Sequence, residues 1–212
     1  MPDYYYASRV DAPAYVNIEV FSAPWGMTAV ATHGHGTPED DFAGKLLVAA
    51  VERAARAAAG PLPSQAWDDL LHDTDLLLGA RKPPASLGAA VITLSPTGIA
   101  GVAVGGFRAL LVANGTSAEL LDPTAADATG FGSGLAAVVR FDYPRREGML
   151  FLAASDLLDA LSDDEIERAA AYEHPAAAVD FVVNRVGTRA SAARALGILA
   201  ARLFPSGGAP DA

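Results

Sequence analysis

Hydrophobic positions along the chain switch between a period of two and a period near 3.6, and the switches divide it into blocks. "YVNIEVF" at 15–21 alternates in part, and "MTAVAT" at 27–32 follows after a short break, which predicts two strands. From about Asp40 the stretch "DFAGKLLVAAVERAARAAAG" is rich in Ala and Leu and stops at Gly60, with Pro61 and Pro63 beyond it. That composition predicts a helix with an enforced end. Ser64 is placed to cap a second helix, on which Trp67, Leu70, Leu71, Leu77 and Leu78 share one core-facing side.

Three strand-like runs come next: "AAVITL" at 89–94, "GIAGVAV" at 98–104 and "RALLVA" at 108–113. Ser95 to Gly98 turn the chain between the first two, and Asn114-Gly115 is a strong turn signal after the third. Links this short predict antiparallel hairpins, because parallel strands need a long crossover. "LAAVVRF" and "GMLFLAA" supply two further strands. Helical signals then return. Ser162 and Glu165 form an S-x-x-E capping box, Pro175 opens another helix, Val179, Val182, Val183 and Val186 line its inner face, and Gly187 ends it. Two helical blocks separated by antiparallel strands suit an α+β layered domain rather than alternating β-α units. No internal repeat is visible. One domain is expected over 1–204, with a frayed tail at 205–212.

Composition narrows the function. Half of the 212 residues are hydrophobic, so a substantial core is available, and the net charge of −10 repels nucleic-acid phosphates and anionic membranes. Neither nucleic acid nor membrane is expected as a partner. The chain has no cysteine, which excludes disulfides, thiolate catalysis and cysteine-ligated zinc and suits a cytoplasmic address. "MPDYYYASRV" lacks the basic start and apolar stretch of a signal peptide. The chain is uncharged between Lys82 and Arg108, but Ser95, Pro96 and several glycines break that stretch, so it reads as sheet rather than a membrane span.

The densest chemistry lies in "ATHGHGTPEDD", 31–41, with two histidines and three acids. An H-x-H after a strand can bind zinc or iron through imidazole nitrogens, and a mononuclear site of His33, His35 and Asp156 is one reading. The preferred reading is structural. Gly34 and Gly36 give a tight turn with partly exposed histidines, while Glu39, Asp40 and Asp41 complement the dipole of the following helix. No dinucleotide fingerprint or P-loop lysine is present. Ser155 has no histidine at recognisable spacing, and Gly132-Ser133-Gly134 lacks the strand-to-helix setting of a nucleophile elbow. "YYY" at 4–6 suits pairing within a sheet, with an edge strand or interface patch as the other reading.

Three stretches, in order, resemble the metal-dependent protein phosphatases, the PPM or type 2C class with its sporulation stage II E-type relatives. "VATHGHGTPEDDFAG" resembles the segment V-A-D-G-H-G-G before a long helix, and "GVAVGGFRALLVANG" resembles the hairpin V-G-D-S-R-A-Y-L. "GMLFLAASDLLDALSDDEI" is the most specific, resembling L-L-A-S-D-G-L-W-D-x-L-S-D-x-E-I. The resemblance implies a four-layer α-β-β-α sandwich of two antiparallel sheets, with a closing strand within 190–203 despite the Ala-rich helical propensity there. It also implies two magnesium or manganese ions that activate a water against phosphoserine or phosphothreonine, held by about four acids.

This chain departs from that set. Asp11, in "RVDA", matches the first acid, with Val10 where a Glu or Gln is usual; a solvated cap is its other reading. The second, bridging acid is replaced by His33, followed by Gly34, His35 and Gly36; in the alternative register Ala31 falls there. Asp156 matches the third, with Leu157 in place of Gly, although it also suits a helix N-cap. The fourth is missing, since 181–210 contains no Asp or Glu. Gly106 and Phe107 occupy the places of Asp and Ser in the hairpin, no Arg precedes Asp11 at four or five residues, and Arg108 matches the hairpin Arg with a structural role. Magnesium or manganese binding is therefore expected to be weak or absent. The resemblance implies a degenerate phosphatase homologue that binds a phosphoprotein or regulatory protein. The alternatives are a weak Mg/Mn-dependent phosphoprotein phosphatase using Asp11, Asp156 and His33, and a purely structural interaction domain.

Overall fold

Two five-stranded antiparallel sheets carry the strands of the described residues. The computed structural model describes residues 4–11, 16–121, 130–187 and 196–204, and for Asp11, Ser155, Asp156 and Leu196 the backbone alone. The strands are β1 (Tyr4–Asp11), β2 (Val16–Ala23), β3 (Gly26–His33), β4 (Gly88–Leu94), β5 (Gly98–Val104), β6 (Phe107–Ala113), β7 (Thr116–Leu121), β8 (Val139–Pro144), β9 (Gly148–Ala154) and β10 (Leu196–Leu203). The helices are α1 (Pro38–Ala57), α2 (Ser64–Gly79), α3 (Ser155–Leu158), α4 (Asp163–Ala170) and α5 (Pro175–Gly187). One sheet has the order β1-β10-β9-β6-β7, the other β2-β3-β4-β5-β8.

Each sheet is apolar on both faces, as a middle layer must be. Met27, Ala29, Ala31, Ile92, Leu111, Leu152 and Leu199 meet between the sheets. Alternate residues of β3 and β4, such as Val30 and Val91, turn outward onto Ala43, Leu47 and Val51 of α1 and Trp67 and Leu71 of α2. The outer face of the other sheet takes Ile166 of α4 and Ala178, Val179, Val182 and Val183 of α5. These layers form the expected α-β-β-α sandwich. Helix α1 approaches β3 closely at Gly44, where a Cβ would lie 3.3 Å from Thr32 Oγ1.

Local signals hold where they are strongest. Asn114 and Gly115 both have positive φ, 51° and 71°, as a type I′ hairpin between β6 and β7 requires. Ser162 and Glu165 form the reciprocal capping box of α4. The Ala-rich run enters a strand after all. Its described part, β10, sits centrally between β1 and β9, where tertiary pairing outweighs helical propensity.

Three details differ from the sequence reading. β7 adds a further strand after the Asn114-Gly115 turn, while β1 carries the sheet pairing expected of Tyr4–Tyr6 on to Asp11. Pro63, not Ser64, occupies the N-cap of α2, and the Ser64 hydroxyl donates instead to Asp142 Oδ2 on β8. Leu77 is 72% exposed; the buried stripe of α2 runs through Trp67, Leu71, Asp75 and Leu78. Among the described residues, no helix is long and apolar enough to cross a membrane. The segment 205–212 lies outside the described residues.

Candidate functional site

Strand registers bring the sequence-predicted residues to one end of the sandwich. Asp11 closes β1 opposite Leu196 at the start of β10, Ile198 lies opposite Ala153 of β9, and Ala154 lies opposite Phe107 at the start of β6. In the other sheet His33 closes β3 opposite Val16 of β2 and Gly88 of β4, and Ala89 lies opposite Val104 at the end of β5. The short Gly105-Gly106 link carries β5 of one sheet directly into β6 of the other. A Cβ on Gly88 would sit 3.3 Å from Phe107 Cε2 across the gap. Asp11, His33 and the β9-α3 junction holding Asp156 therefore share one rim. Helix α3 begins at Ser155, so Asp156 is its second residue rather than the residue preceding it. The side chains of Asp11 and Asp156 lie outside the described residues.

His33 continues the alternation of Met27, Ala29 and Ala31, which places it on the face between the sheets. It is half-buried there. His35 is exposed, and its backbone N–H donates to Asp40 Oδ2 at 2.8 Å. Gly36 has φ of 75°, in the left-handed region that glycine enters without cost. Gly34 is squeezed for another reason: a Cβ there would lie 2.8 Å from Asp40 Cβ. The loop is thus the glycine turn the sequence suggested. Thr37 caps α1 through its hydroxyl, which accepts from Asp40 N–H at 3.1 Å.

The buried Asp40 does more than complement a helix dipole. Its second oxygen, Oδ1, accepts from Ser86 N–H at 3.0 Å, tying the segment before β4 to the histidine loop. Burial would push this carboxyl up, but the hydrogen bonds from Ser86, His35 and Thr37 and the charge of His35 outweigh it, holding it below the usual carboxylate value. A second buried carboxylate extends the framework. Asp75 of α2 accepts from Gly132 N–H at 2.6 Å and Ala136 N–H at 3.0 Å, and Phe131 pairs with Leu87 through mutual backbone hydrogen bonds. Sequence reasoning missed Asp75. Its only trace is an acid on the apolar stripe of an amphipathic helix.

Across the gap the surroundings are apolar. Phe107 is buried in the core between the sheets, and Val10, just before Asp11, packs against the same core. A Cβ on Gly197 would lie 2.2 Å from Val16 Cγ1, so the sheets close tightly beside the Asp11–Leu196 pair. Arg108, the next residue on β6, ion-pairs with Glu119 and Asp159, each at 2.6 Å. Burial alone would lower its pKa, but those two acids hold it raised. It braces β7 and the end of α3, the structural role the sequence suggested.

Together, the layer order, the rim of strand ends and the loop before α1 define a known architecture. Similar structures include Stp1, the serine/threonine phosphatase from Staphylococcus aureus (TM-score 0.76, 12% identity, 96% of this chain and 95% of that one). The fold is that of the bacterial serine/threonine phosphatases. PppA, a key regulatory component of T6SS in Pseudomonas aeruginosa, matches at TM-score 0.74 and 18% identity over 95% of this chain and 98% of that one. The catalytic domain of the serine/threonine protein phosphatase PstP, in complex with two manganese ions, matches at TM-score 0.72 and 16% identity over 95% and 98%. No family profile and no curated protein matches the sequence.

That phosphatase fold sets the test for a metal pair here. Hard dications need several carboxylate oxygens in one place. Among the described residues no three His, Asp or Glu side chains come together in a metal-holding group. At the rim the described donor facing the gap is one imidazole, which brings a nitrogen and no negative charge, beside Phe107 and Val10. The described side chains at this rim do not by themselves supply the carboxylates that a pair of magnesium or manganese ions needs.

Proposed function

We propose that this phosphatase-fold chain has a degraded dinuclear site and acts in the cytoplasm as a non-catalytic module that recognises a phosphoprotein or regulatory protein. The observation that carries the reading is His33 at the end of β3, on the face between the sheets, where the resemblance places the metal-bridging acid. Phe107 and Val10 support it by presenting apolar groups in the neighbouring places. An imidazole in that place can donate an N–H to a phosphate without adding a negative charge beside it, as the usual acid would.

The second reading is a weak Mg/Mn-dependent phosphoprotein phosphatase using Asp11, Asp156 and His33. It is favoured by the backbone, which carries all three residues to the same rim. Two assays separate the readings. Fluorescence anisotropy with phosphoserine peptides and their unphosphorylated counterparts, in chelator, is expected to register binding of the phosphorylated form alone, and equal binding of both sinks the phosphate-recognition reading. Hydrolysis of p-nitrophenyl phosphate with manganese is expected to stay at the level of the buffer blank. Turnover that Asp156→Ala abolishes would establish the enzyme instead.

A further inference from the structure

The two sheets have four edges, and three of them are protected. On β8 the charged residues Arg140 and Asp142 alternate before Pro144, and side chains of α2 reach across to both: Asp68 ion-pairs with Arg140, and Ser64 bonds Asp142. On β2 an exposed Glu19 interrupts the strand. On β7, a short six-residue strand, Glu119 is ion-paired with Arg108. The fourth edge, β1, pairs with β10 on one side, and among the described residues no strand pairs with its other side. Its first five residues, Tyr4 to Ser8, carry no charge and no proline. Tyr5 and Tyr6 are 47% and 42% exposed, the largest apolar exposure on any strand among the described residues. An eight-residue edge of this kind is a template for another strand.

We infer that this other strand is β1 of a second copy, paired antiparallel about a two-fold axis at Ala7. The alternation of β1 restricts the register. Tyr4 and Val10 pack on the core between the sheets, while Ala7 packs on the α5 side and Arg9 reaches Asp180 of α5 at 3.4 Å. A two-fold axis perpendicular to the sheet keeps each face on its own side, so odd residues must meet odd and even must meet even. Centred on Ala7, the register sets Tyr5 opposite the partner's Arg9, Tyr6 opposite the partner's Ser8 and Tyr4 opposite the partner's Val10. Each pair is complementary. The ring of Tyr5, held by an edge-to-face contact with Phe204 at 5.5 Å, presents a face for the guanidinium. Tyr6 and Ser8 can exchange a hydroxyl hydrogen bond, and Tyr4 and Val10 form an aromatic–aliphatic cross-strand pair. Ala7, small and on the axis, lets the backbones close. The two five-stranded sheets then continue into one another. Each copy brings a net charge of −10 to the dimer, so long-range repulsion opposes pairing and added salt favours it.

The chain has no cysteine, so a single introduced thiol reports on proximity without competition. Under mild oxidation Ala7→Cys is expected to give a disulfide-linked dimer, and Ser117→Cys on the β7 edge is not. Sedimentation equilibrium of the full chain is expected to give a monomer–dimer equilibrium at micromolar protein, with the dimer fraction rising with salt. Tyr5→Arg sets like charges opposite each other and is expected to weaken the dimer at least tenfold, while Tyr5→Arg with Arg9→Glu restores it. A monomeric mass through hundreds of micromolar would overturn the inference and leave the edge to a different strand. Equal cross-linking of the two cysteine variants would overturn it too, as would wild-type association of Tyr5→Arg. Should Tyr5→Arg fail to fold by circular dichroism, the cross-linking pair decides alone.

Discussion

The backbone N–H of Ser86 donates to Asp40 Oδ1 at 3.0 Å, joining the segment before β4 to the first turn of α1 across 46 positions of sequence. With the other oxygen held by His35 N–H, one buried carboxylate sets the shape of the histidine loop. Asp40→Asn keeps the size but turns an N–H₂ toward one of two N–H donors. A loss of about 1–3 kcal/mol is expected, because a buried donor is left unmatched. Chemical denaturation of the two proteins measures it.

The same group predicts an acid dependence. Its folded pKa is depressed, so its stabilisation is fully present above the ordinary carboxylate value of 3.8 and is lost as pH falls through the lower folded value. Thermal melts from neutral pH downward are expected to converge for wild type and Asp40→Asn below that window, since protonated Asp40 has lost the same advantage.

Phe107→Ala is expected to cost about 3–5 kcal/mol, the range for emptying a buried aromatic site. Its ring, 1% exposed, belongs to the core between the sheets. A cost under about 1 kcal/mol in urea unfolding would mean that the gap is open at this end and that the apolar character assigned to it is wrong.

Arg108→Ala removes the ion pair to Glu119 on β7 and the one to Asp159 at the end of α3. Glu119 is 36% and Asp159 56% exposed, so solvent screening limits the stability cost to about 1 kcal/mol. Hydrogen exchange is the more sensitive probe. Faster exchange is expected at 155–161, with 33–40 unchanged.

Legibility in the sequence follows the reach of each interaction. Signals carried by neighbours along the chain were readable: the Asn114-Gly115 hairpin, the Ser162–Glu165 box and the valine face of α5. Interactions between distant segments were not. Asp75 looks like a polar intrusion until the Gly132 and Ala136 N–H groups arrive from another loop to satisfy it. Leu77 looks like core until that same arrangement shows the buried stripe of α2 lying about 100° away from it. The tyrosines at 4–6 pointed to a sheet, but the extent of β1 through Asp11 was not legible, because three consecutive tyrosines carry no period-two contrast. At the site, the positions of Asp11, His33 and Asp156 at one rim were legible from the resemblance, because strand ends follow from topology. The tie through Asp40 was read only as a dipole effect.

The most direct test of the account is a calorimetric titration of the full chain with manganese at neutral pH. If His33, Phe107 and Val10 have removed the electrostatic basis for a metal pair, no saturable heat is expected through millimolar metal. Saturable binding of two ions per chain, lost in Asp156→Ala and in Asp11→Ala, would contradict that claim and show an intact metal pair.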